Sequence, residues 1–533
     1  MLRRFSRLSR PLAVALLAAW LPAHAQLPAP VMDVLRATNI PETAVSALVL
    51  RDDKTILSHL ADHPMQPAST MKLVTTLVSL ERLGPVFRGR TELRTAGEQH
   101  GDVLQGDLYL RGGADADFTT EALETLLREL RYQGIRKIQG HLVVDRELFN
   151  PARLDVGAPA FDESPDAYYN VIPDAAMVNK NLLQLYLSST SGKLKLAMQP
   201  ELQGVSIGSD MKLVNGDCNN WGDGWKTPDI LPQHGGGIKI MLHGTFPKNC
   251  VGTDAVNVID RQAYLDRLFR ASWKRLGGSI SGDTTEGATP ATTRLLAAHL
   301  ARALPEVVRD TNKPSDNTLA RLLFLSLGAL ESDPLLGSHP QAAATDTAAG
   351  ATPTLARSEQ VVRSWMREHG IDDTGLVLEN GSGLSRTERI TPIQMGGVLQ
   401  AGLRSNWAPE FEASMPIVAV DGTMRRRLHD SPAAGRARMK TGTLRNVTAI
   451  AGYVPDASGR QCVVVAMVNS ELVSNGQGRA VLDALVDWVA RLNAPQLPGQ
   501  PGPTVQPLQP QPAPALPAQP AAPVQPAPAV GGA

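Results

Sequence analysis

The sequence predicts one α/β domain interrupted by a long insertion. Three observations carry this. A hairpin and a buried helix stand near the start, a foreign block of short strands fills the middle, and helices, a second hairpin and a last helix close the chain. Residues 44–51 (AVSALVLR) and 54–60 flank Asp52-Asp53 and form the first hairpin. Leu73, Val74, Leu77, Val78, Leu80 and Leu83 then follow helical spacing up to a Gly84-Pro85 stop, so a buried helix begins near Ser69. From about 91 to 288 the texture changes to short alternating strands with many glycines, and 126–136 is the clearest helix there. Helical patterns resume at 295–303 and 318–330, and 338–353 (SHPQAAATDTAAGATP) reads as a surface loop. Residues 447–454 and 462–469, joined by a turn at 456–459, form the second hairpin. Leu482, Leu485, Val489 and Leu492 mark the terminal helix.

The ends do not belong to this fold. Arg3, Arg4, Arg7 and Arg10 precede a short apolar run at 11–22 and an Ala23-His24-Ala25 cleavage site, the pattern of a secretory signal peptide cut after Ala25. Residues 494–533 hold 13 of the 40 prolines and no charge, and such a tract predicts a disordered or polyproline tail. The 533 residues balance 52 basic against 52 acidic side chains, and loss of the leader's four arginines leaves a formal charge of −4. That balance argues against nucleic acid as a partner. No later apolar run reaches the roughly 18 residues of a membrane helix, so membrane contact is expected to be peripheral at most. Length alone suggests about three domains.

Export permits disulfides. Cys218 and Cys250 sit in Gly/Asn/Asp-rich segments, whereas Cys462 lies in an apolar run resembling a central strand. Of the three possible pairings Cys218–Cys250 is favoured, with Cys462 a buried thiol. There is no C-x-x-C, so neither a thiol redox centre nor a cysteine zinc cage is expected.

Three short motifs stand in order: S-x-x-K at Ser69–Lys72, S-x-N at Ser315-Asp316-Asn317, and K-T-G at Lys440-Thr441-Gly442. Helical residues three apart share a face, so Lys72 can reach the Ser69 hydroxyl. A serine needs an adjacent base, and a buried lysine near a second cation, Lys440, can lose its proton and serve. Ser315 can relay a proton toward a leaving amine, and Asn317 can bind an amide carbonyl and hold Lys72. Lys440, Thr441 and Thr443, at the head of a strand, suit a substrate carboxylate. The Ser69 and Thr443 N–H groups are candidates for an oxyanion hole.

Each motif alone is weak. Ser209-Asp210-Met211-Lys212 is a second S-x-x-K, rejected because Asn215-Gly216-Asp217 makes it a turn region. Gly204-Val205-Ser206-Ile207-Gly208 with His234-Gly235-Gly236-Gly237 matches an α/β-hydrolase elbow and oxyanion loop, but polar alternating sequence follows where a helix is required. His59 and His63 have metal-ligand spacing only on a helix; in an extended chain their backbones stand about 13 Å apart, so no metal is expected. The ordered trio carries the reading.

With PASTMKLVTT, NKPSDNTLARLL, GSGLSR, DGTMRRRL and MKTGTLRNVTAIAGYV in place, the chain resembles the D-Ala-D-Ala carboxypeptidase/endopeptidase family of low-molecular-mass penicillin-binding proteins over nearly its whole mature length. The resemblance implies an α+β, serine β-lactamase-like transpeptidase domain, an antiparallel sheet flanked by helices, interrupted by two smaller domains. The expected division is catalytic domain at 26–90 and 289–493, insertion at 91–288, and an outer part of that insertion at roughly 117–184. The family insertion also carries a cysteine pair in the region of Cys218 and Cys250. By resemblance Ser69 is acylated, Lys72 is its base, and Ser315, Asn317 and Lys440 complete the site. The implied enzyme is periplasmic and free of cofactors. It acts on peptidoglycan stem peptides and is covalently inhibited by β-lactams. A β-lactamase, a D-stereospecific esterase and a non-catalytic peptidoglycan-binding protein are the rival readings. One departure is visible: the family usually has Asp where this chain has Asn380, before G-S-G-L-S-R.

Overall fold

The computed structural model describes residues 26–342 and 351–494. The expected leader, nearly all of the expected tail, and the middle of the loop expected at 338–353 lie outside the described residues. Ser338–Pro340 belong to a short hairpin, Leu330–Asp333 with Gly337–Pro340, instead of a loop.

Five antiparallel strands form the central sheet, in the order Lys54–His59, Val45–Arg51, Gln461–Asn469, Val447–Pro455, Arg438–Leu444. Both predicted hairpins are in it, joined through pairing of Val45–Arg51 with Gln461–Asn469. Side chains alternate between faces, and here both faces are covered. Ala47, Val49, Ile450, Val464 and Ala466 pack with Val31 and Leu35 of the helix Ala29–Thr38 and Leu482 and Leu485 of the helix Gln477–Ala490. Leu48, Leu50, Ala451, Val463 and Val465 face the opposite layer, with Leu73, Leu77, Leu323, Trp365 and Met395 of four helices: Lys72–Leu83, Asn317–Leu327, Thr354–Glu368 and Pro392–Arg404. Each buried Val, Leu, Ile or Met among them is worth about 1.5–3 kcal/mol. A one-residue slip would exchange the two faces wholesale, so the register is fixed. The helix Lys72–Leu83 is buried even at its hydroxyls, which bond inward: Thr76 to Lys72 O at 2.7 Å, Ser79 to Thr75 O at 2.8 Å, Thr75 to Gly381 O at 2.6 Å.

The insertion enters and leaves through paired strands, Arg90–Thr95 and Arg294–Leu300, with Arg90 opposite Leu300. The second of these corrects the helix expected over 295–303. A register shift between Leu295 and Ala297 buries Leu296 and Ala297 side by side, and that adjacency imitates helical spacing. Both strands lie in a five-stranded sheet with Leu108–Gly113, Leu142–Asp145 and Thr284–Glu286, flanked by the helices Thr120–Tyr132 and Arg261–Arg275.

Residues 117–184 supply the helix Thr120–Tyr132 and the strand Leu142–Asp145 to this inner layer. Further sheets are built from Leu183–Ser188 to Val251–Val256, and a small one from Glu98–His100, Val103–Gln105, Lys137–Gln139 and Ser279–Ile280. One apolar core runs through these sheets, from Leu126 and Trp273 to Leu185 and Phe246. Cys218 and Cys250 are bonded there, with Cα atoms 5.4 Å apart. Cys462 is buried in the central sheet, and burial pushes its thiol up to about 11, far from a reactive thiolate.

Candidate active site

Ser69 lies in a 3-10 turn, Ala68–Met71, that runs directly into the α-helix beginning at Lys72. The turn is tightly boxed. Ala68 has φ +46°, and two glycines allow backbone to press against it. A Cβ on Gly383 would lie 1.9 Å from Ala68 O and 2.8 Å from Ser69 N; one on Gly442 would lie 2.7 Å from Pro67 O and 2.9 Å from Ser69 N. Gly442 therefore belongs in K-T-G because the edge strand Arg438–Leu444 passes against the nucleophile turn. That strand starts two residues before Lys440, so K-T-G lies inside it and not at its head.

Lys72 is fully buried and its ammonium nitrogen has three acceptors: Ser69 Oγ at 3.0 Å, Asn317 Oδ1 at 2.6 Å and the Ser382 carbonyl at 2.6 Å. Burial pulls Lys72 from 10.5 down to about 7; Asp316 and Glu388 favour its charge, and Arg321 opposes it. Lys440, equally buried, donates to Ser315 Oγ and to Thr441 O, both at 2.8 Å. Burial first, and the charge of Lys72 second, hold Lys440 well below its usual range. Two buried lysines that repel one another favour a neutral amine at one of them, and Lys72 is the one touching the Ser69 hydroxyl. Such a pair can draw a proton from Ser69.

The S-D-N segment is folded to present both polar side chains inward. Ser315 sits at φ +67°, a left-handed conformation that costs a non-glycine residue about 1–2 kcal/mol. Asp316 caps the helix Asn317–Leu327, accepting from Leu319 N at 2.9 Å. Thr441 Oγ1 donates to Thr423 Oγ1 at 2.7 Å on the open side of the edge strand, while Thr443 is exposed there. The structure thus brings Ser69, Lys72, Ser315, Asn317, Lys440, Thr441, Gly442 and Thr443 into one place.

Several contributors are invisible to motif reading. Ser382 and Tyr169 act through backbone carbonyls, the latter accepting from Asn317 Nδ2 at 3.0 Å. Glu388 is buried, and its Oε1 accepts from the N–H groups of Glu379, Asn380 and Gly381 at 3.1–3.2 Å, fixing the loop that carries Ser382. Asn380 ties the same loop: its Oδ1 accepts from Ser382 N and Oγ at 3.0 and 2.6 Å, and its Nδ2 donates to Leu384 O at 3.0 Å. An aspartate could not make that last bond.

The rejected candidates lie elsewhere. Ser206 is within a strand, Val205–Ser209, that ends one residue before Asp210, and Lys212 begins the next strand. His59 ends the edge strand Lys54–His59, with Nε2 at 3.2 Å from Glu42 O. Among the described residues no cluster of three His, Cys, Asp or Glu side chains could hold a metal, and no helix is long and apolar enough to cross a membrane.

Residues 31–492 match the model of the D-Ala-D-Ala carboxypeptidase 3 (S13) family. The chain is 28% identical over 482 residues to a D-alanyl-D-alanine carboxypeptidase of Actinomadura sp. (strain R39), covering 86% of this chain and 83% of that one. It is 26% identical over 438 residues to D-alanyl-D-alanine carboxypeptidase DacB of Haemophilus influenzae, covering 80% and 85%. The crystal structure of penicillin binding protein 4 (dacB) from Haemophilus influenzae shares the fold, with a TM-score of 0.67 at 23% identity over 86% of this chain and 99% of that chain.

Proposed function

This chain belongs to the D-Ala-D-Ala carboxypeptidase 3 (S13) family, and from that premise we propose that it works through an acyl-enzyme on Ser69. It is a serine D-Ala-D-Ala carboxypeptidase/endopeptidase, a hydrolase of the penicillin-binding kind. The observation that supports Ser69 most directly is the 3.0 Å bond from the lowered-pKa Lys72 to its hydroxyl.

In this reading the substrate is a peptidoglycan stem peptide, met in the periplasm after export by residues 1–25. The terminal D-alanine carboxylate lies by Lys440, Thr441 and Thr443. Its arrival favours the charged form of Lys440, and that charge in turn disfavours a proton on Lys72. Ser69 Oγ then attacks the penultimate carbonyl as its proton moves to Lys72 Nζ. The Ser69 and Thr443 N–H groups receive the oxyanion. As the C–N bond breaks, the departing amine takes a proton through Ser315. Water, activated by Lys72 once it is neutral again, hydrolyses the ester. A β-lactam follows the same first step, but its amine stays tethered and the acyl-enzyme persists.

The test is to label the protein lacking residues 1–25 with a fluorescent penicillin and map the adduct by mass spectrometry of peptides. The adduct is expected on Ser69; no adduct, or one elsewhere, overturns the proposal, and rapid turnover of penicillin would mark a β-lactamase. Pentapeptide and crosslinked dimer muropeptides assayed side by side then separate carboxypeptidase from endopeptidase action.

The acylation rate will also report the state of Lys72. The neutral amine is the active form, so the rate falls about tenfold per pH unit below the midpoint and levels above it. With Lys72 near 7 the midpoint falls near pH 7. An unshifted lysine would leave only about one molecule in three thousand competent at neutral pH. Second-order labelling rates from pH 5 to 9 measure the midpoint.

A further inference from the structure

The inserted block reaches the active site through one charged side chain. Lys180, three residues before the strand Leu183–Ser188, forms an ion pair with Asp316, the middle residue of S-D-N. Asp316 uses its other oxygen to cap the helix Asn317–Leu327. Its carboxylate is thus bound from both sides of the turn that holds Ser315 in its left-handed conformation and aims Asn317 at Lys72.

The backbone that delivers Lys180 is strained. Asn179, Lys180 and Asn181 are three successive non-glycine residues with φ of +49°, +53° and +55°. A run of this kind persists only where its surroundings over-determine it. Both asparagines are anchored accordingly. Asn179 accepts from Thr120 N at 2.9 Å and donates to Thr120 Oγ1 at 2.8 Å and Tyr264 Oη at 3.1 Å. Asn181, buried, donates to Asn257 Oδ1 at 2.7 Å and to Ile259 O at 2.8 Å. Lys180, between them, is pinned to none of these and points at Asp316.

Two further contacts join the same surfaces. Tyr169 O accepts from Asn317 Nδ2 at 3.0 Å, and Asn170 O and Val171 O accept from Arg321 Nη1 at 3.2 and 2.9 Å. The start of the helix carrying Asn317 is therefore gripped by the insertion at Asp316, Asn317 and Arg321, and only at Asp316 does the insertion itself supply a charge.

We infer that Lys180 is a positioning residue for acylation, holding the S-D-N turn in register and neutralising Asp316 beside Lys72. The inference rests on Ser69 being the acylated residue. Removing the lysine acts in two ways: the turn loosens, and the freed charge of Asp316 favours the protonated, inactive Lys72. Around Lys72 the charged groups are Asp316 and Glu388, which favour its ammonium, and Arg321 and Lys440, which oppose it. Only the Asp316 contribution changes when Lys180 is lost.

The experiment compares Lys180→Met and Lys180→Arg in the full chain, reading second-order penicillin acylation from pH 5 to 9. Adduct mapping to Ser69 in the wild type is run first, so that failure of the nucleophile assignment is seen separately. Met is expected to slow acylation by about tenfold at pH 7 and to move the acid limb to higher pH, whereas Arg restores the rate to within about threefold. Circular dichroism and a thermal melt establish that both variants are folded. Acylation by Lys180→Met at the wild-type rate overturns the inference. So does a loss shared equally by Met and Arg with an unmoved pH midpoint, which would mark a merely structural contact. Should Lys180→Met fail to fold, Asp316→Asn must slow acylation and move the acid limb to lower pH; an unmoved midpoint there also overturns it.

Discussion

Lys72→Met and Lys72→Arg will each slow acylation of Ser69 by about a thousandfold or more, and the arginine will be no better than the methionine. General-base catalysis is worth about 10²–10⁴-fold, and Lys72 also holds Asn317 and Ser382 in place through its three hydrogen bonds. The comparison separates two roles that a lysine can have. If charge were what mattered, arginine would retain much of the activity, since it keeps a cation at the same site. Arginine cannot release a proton in a protein, so it cannot take one from Ser69. The lowered pKa of Lys72, caused mainly by burial, is what makes proton acceptance available near neutrality. Single-turnover labelling by a fluorescent penicillin, with melts to show that each variant is folded, measures the loss. Substantial acylation by Lys72→Arg would remove the lysine from the base role.

Gly383→Ala is expected to cut acylation by at least a hundredfold and to destabilise the protein by about 2–4 kcal/mol. The new methyl would sit 1.9 Å from Ala68 O, a contact with backbone that cannot rotate away, and the residue would keep φ +81° at further cost. Relief requires moving either the Ser69 turn or the loop whose next-door carbonyl, Ser382 O, holds Lys72. Gly370→Ala is the control. That glycine has φ +69° but open space around its Cβ position, so it isolates backbone strain, about 1–2 kcal/mol, with acylation unchanged. Chemical denaturation and labelling rates on both variants test the pair of expectations. Wild-type acylation in Gly383→Ala would show that the turn tolerates displacement.

The residues that announce this site in sequence do so through local geometry. Ser69 and Lys72 are three apart on a helical segment, and Lys440 is two residues into a strand whose hairpin partner follows at once. Both hairpins were legible for the same reason: their alternation is short-range and bounded by turn residues. What failed was non-local. The segment 294–300 has two neighbouring buried residues only because a bulge lets both face inward against Arg90–Thr95, a partner about 200 residues away. Short strands reveal their alternation but not the sheet they join, so the grouping of the insertion's strands into sheets is not legible from sequence. The carbonyls of Tyr169 and Ser382 were unreadable in principle, since any residue supplies a carbonyl. Lys180 carried a side chain that could have been noticed, but nothing near it in sequence marks Asp316 as its partner.

The doorway of the insertion has a consequence for taking the molecule apart. Because Arg90 and Leu300 face each other as paired residues, a short synthetic turn between them could reseal the catalytic chain and delete some 200 residues in one cut. The resealed sheet would keep the core on its Val31 and Leu482 face whole, but the core on the opposite face would lose Ala114, Phe149 and Ala175, which the excised block contributes to it. The miniature would also lack a wall: Asn317 Nδ2 would lose its acceptor, Arg321 two carbonyls and Asp316 its cation. A minimal enzyme of this architecture must therefore be engineered with substitutes for those contacts.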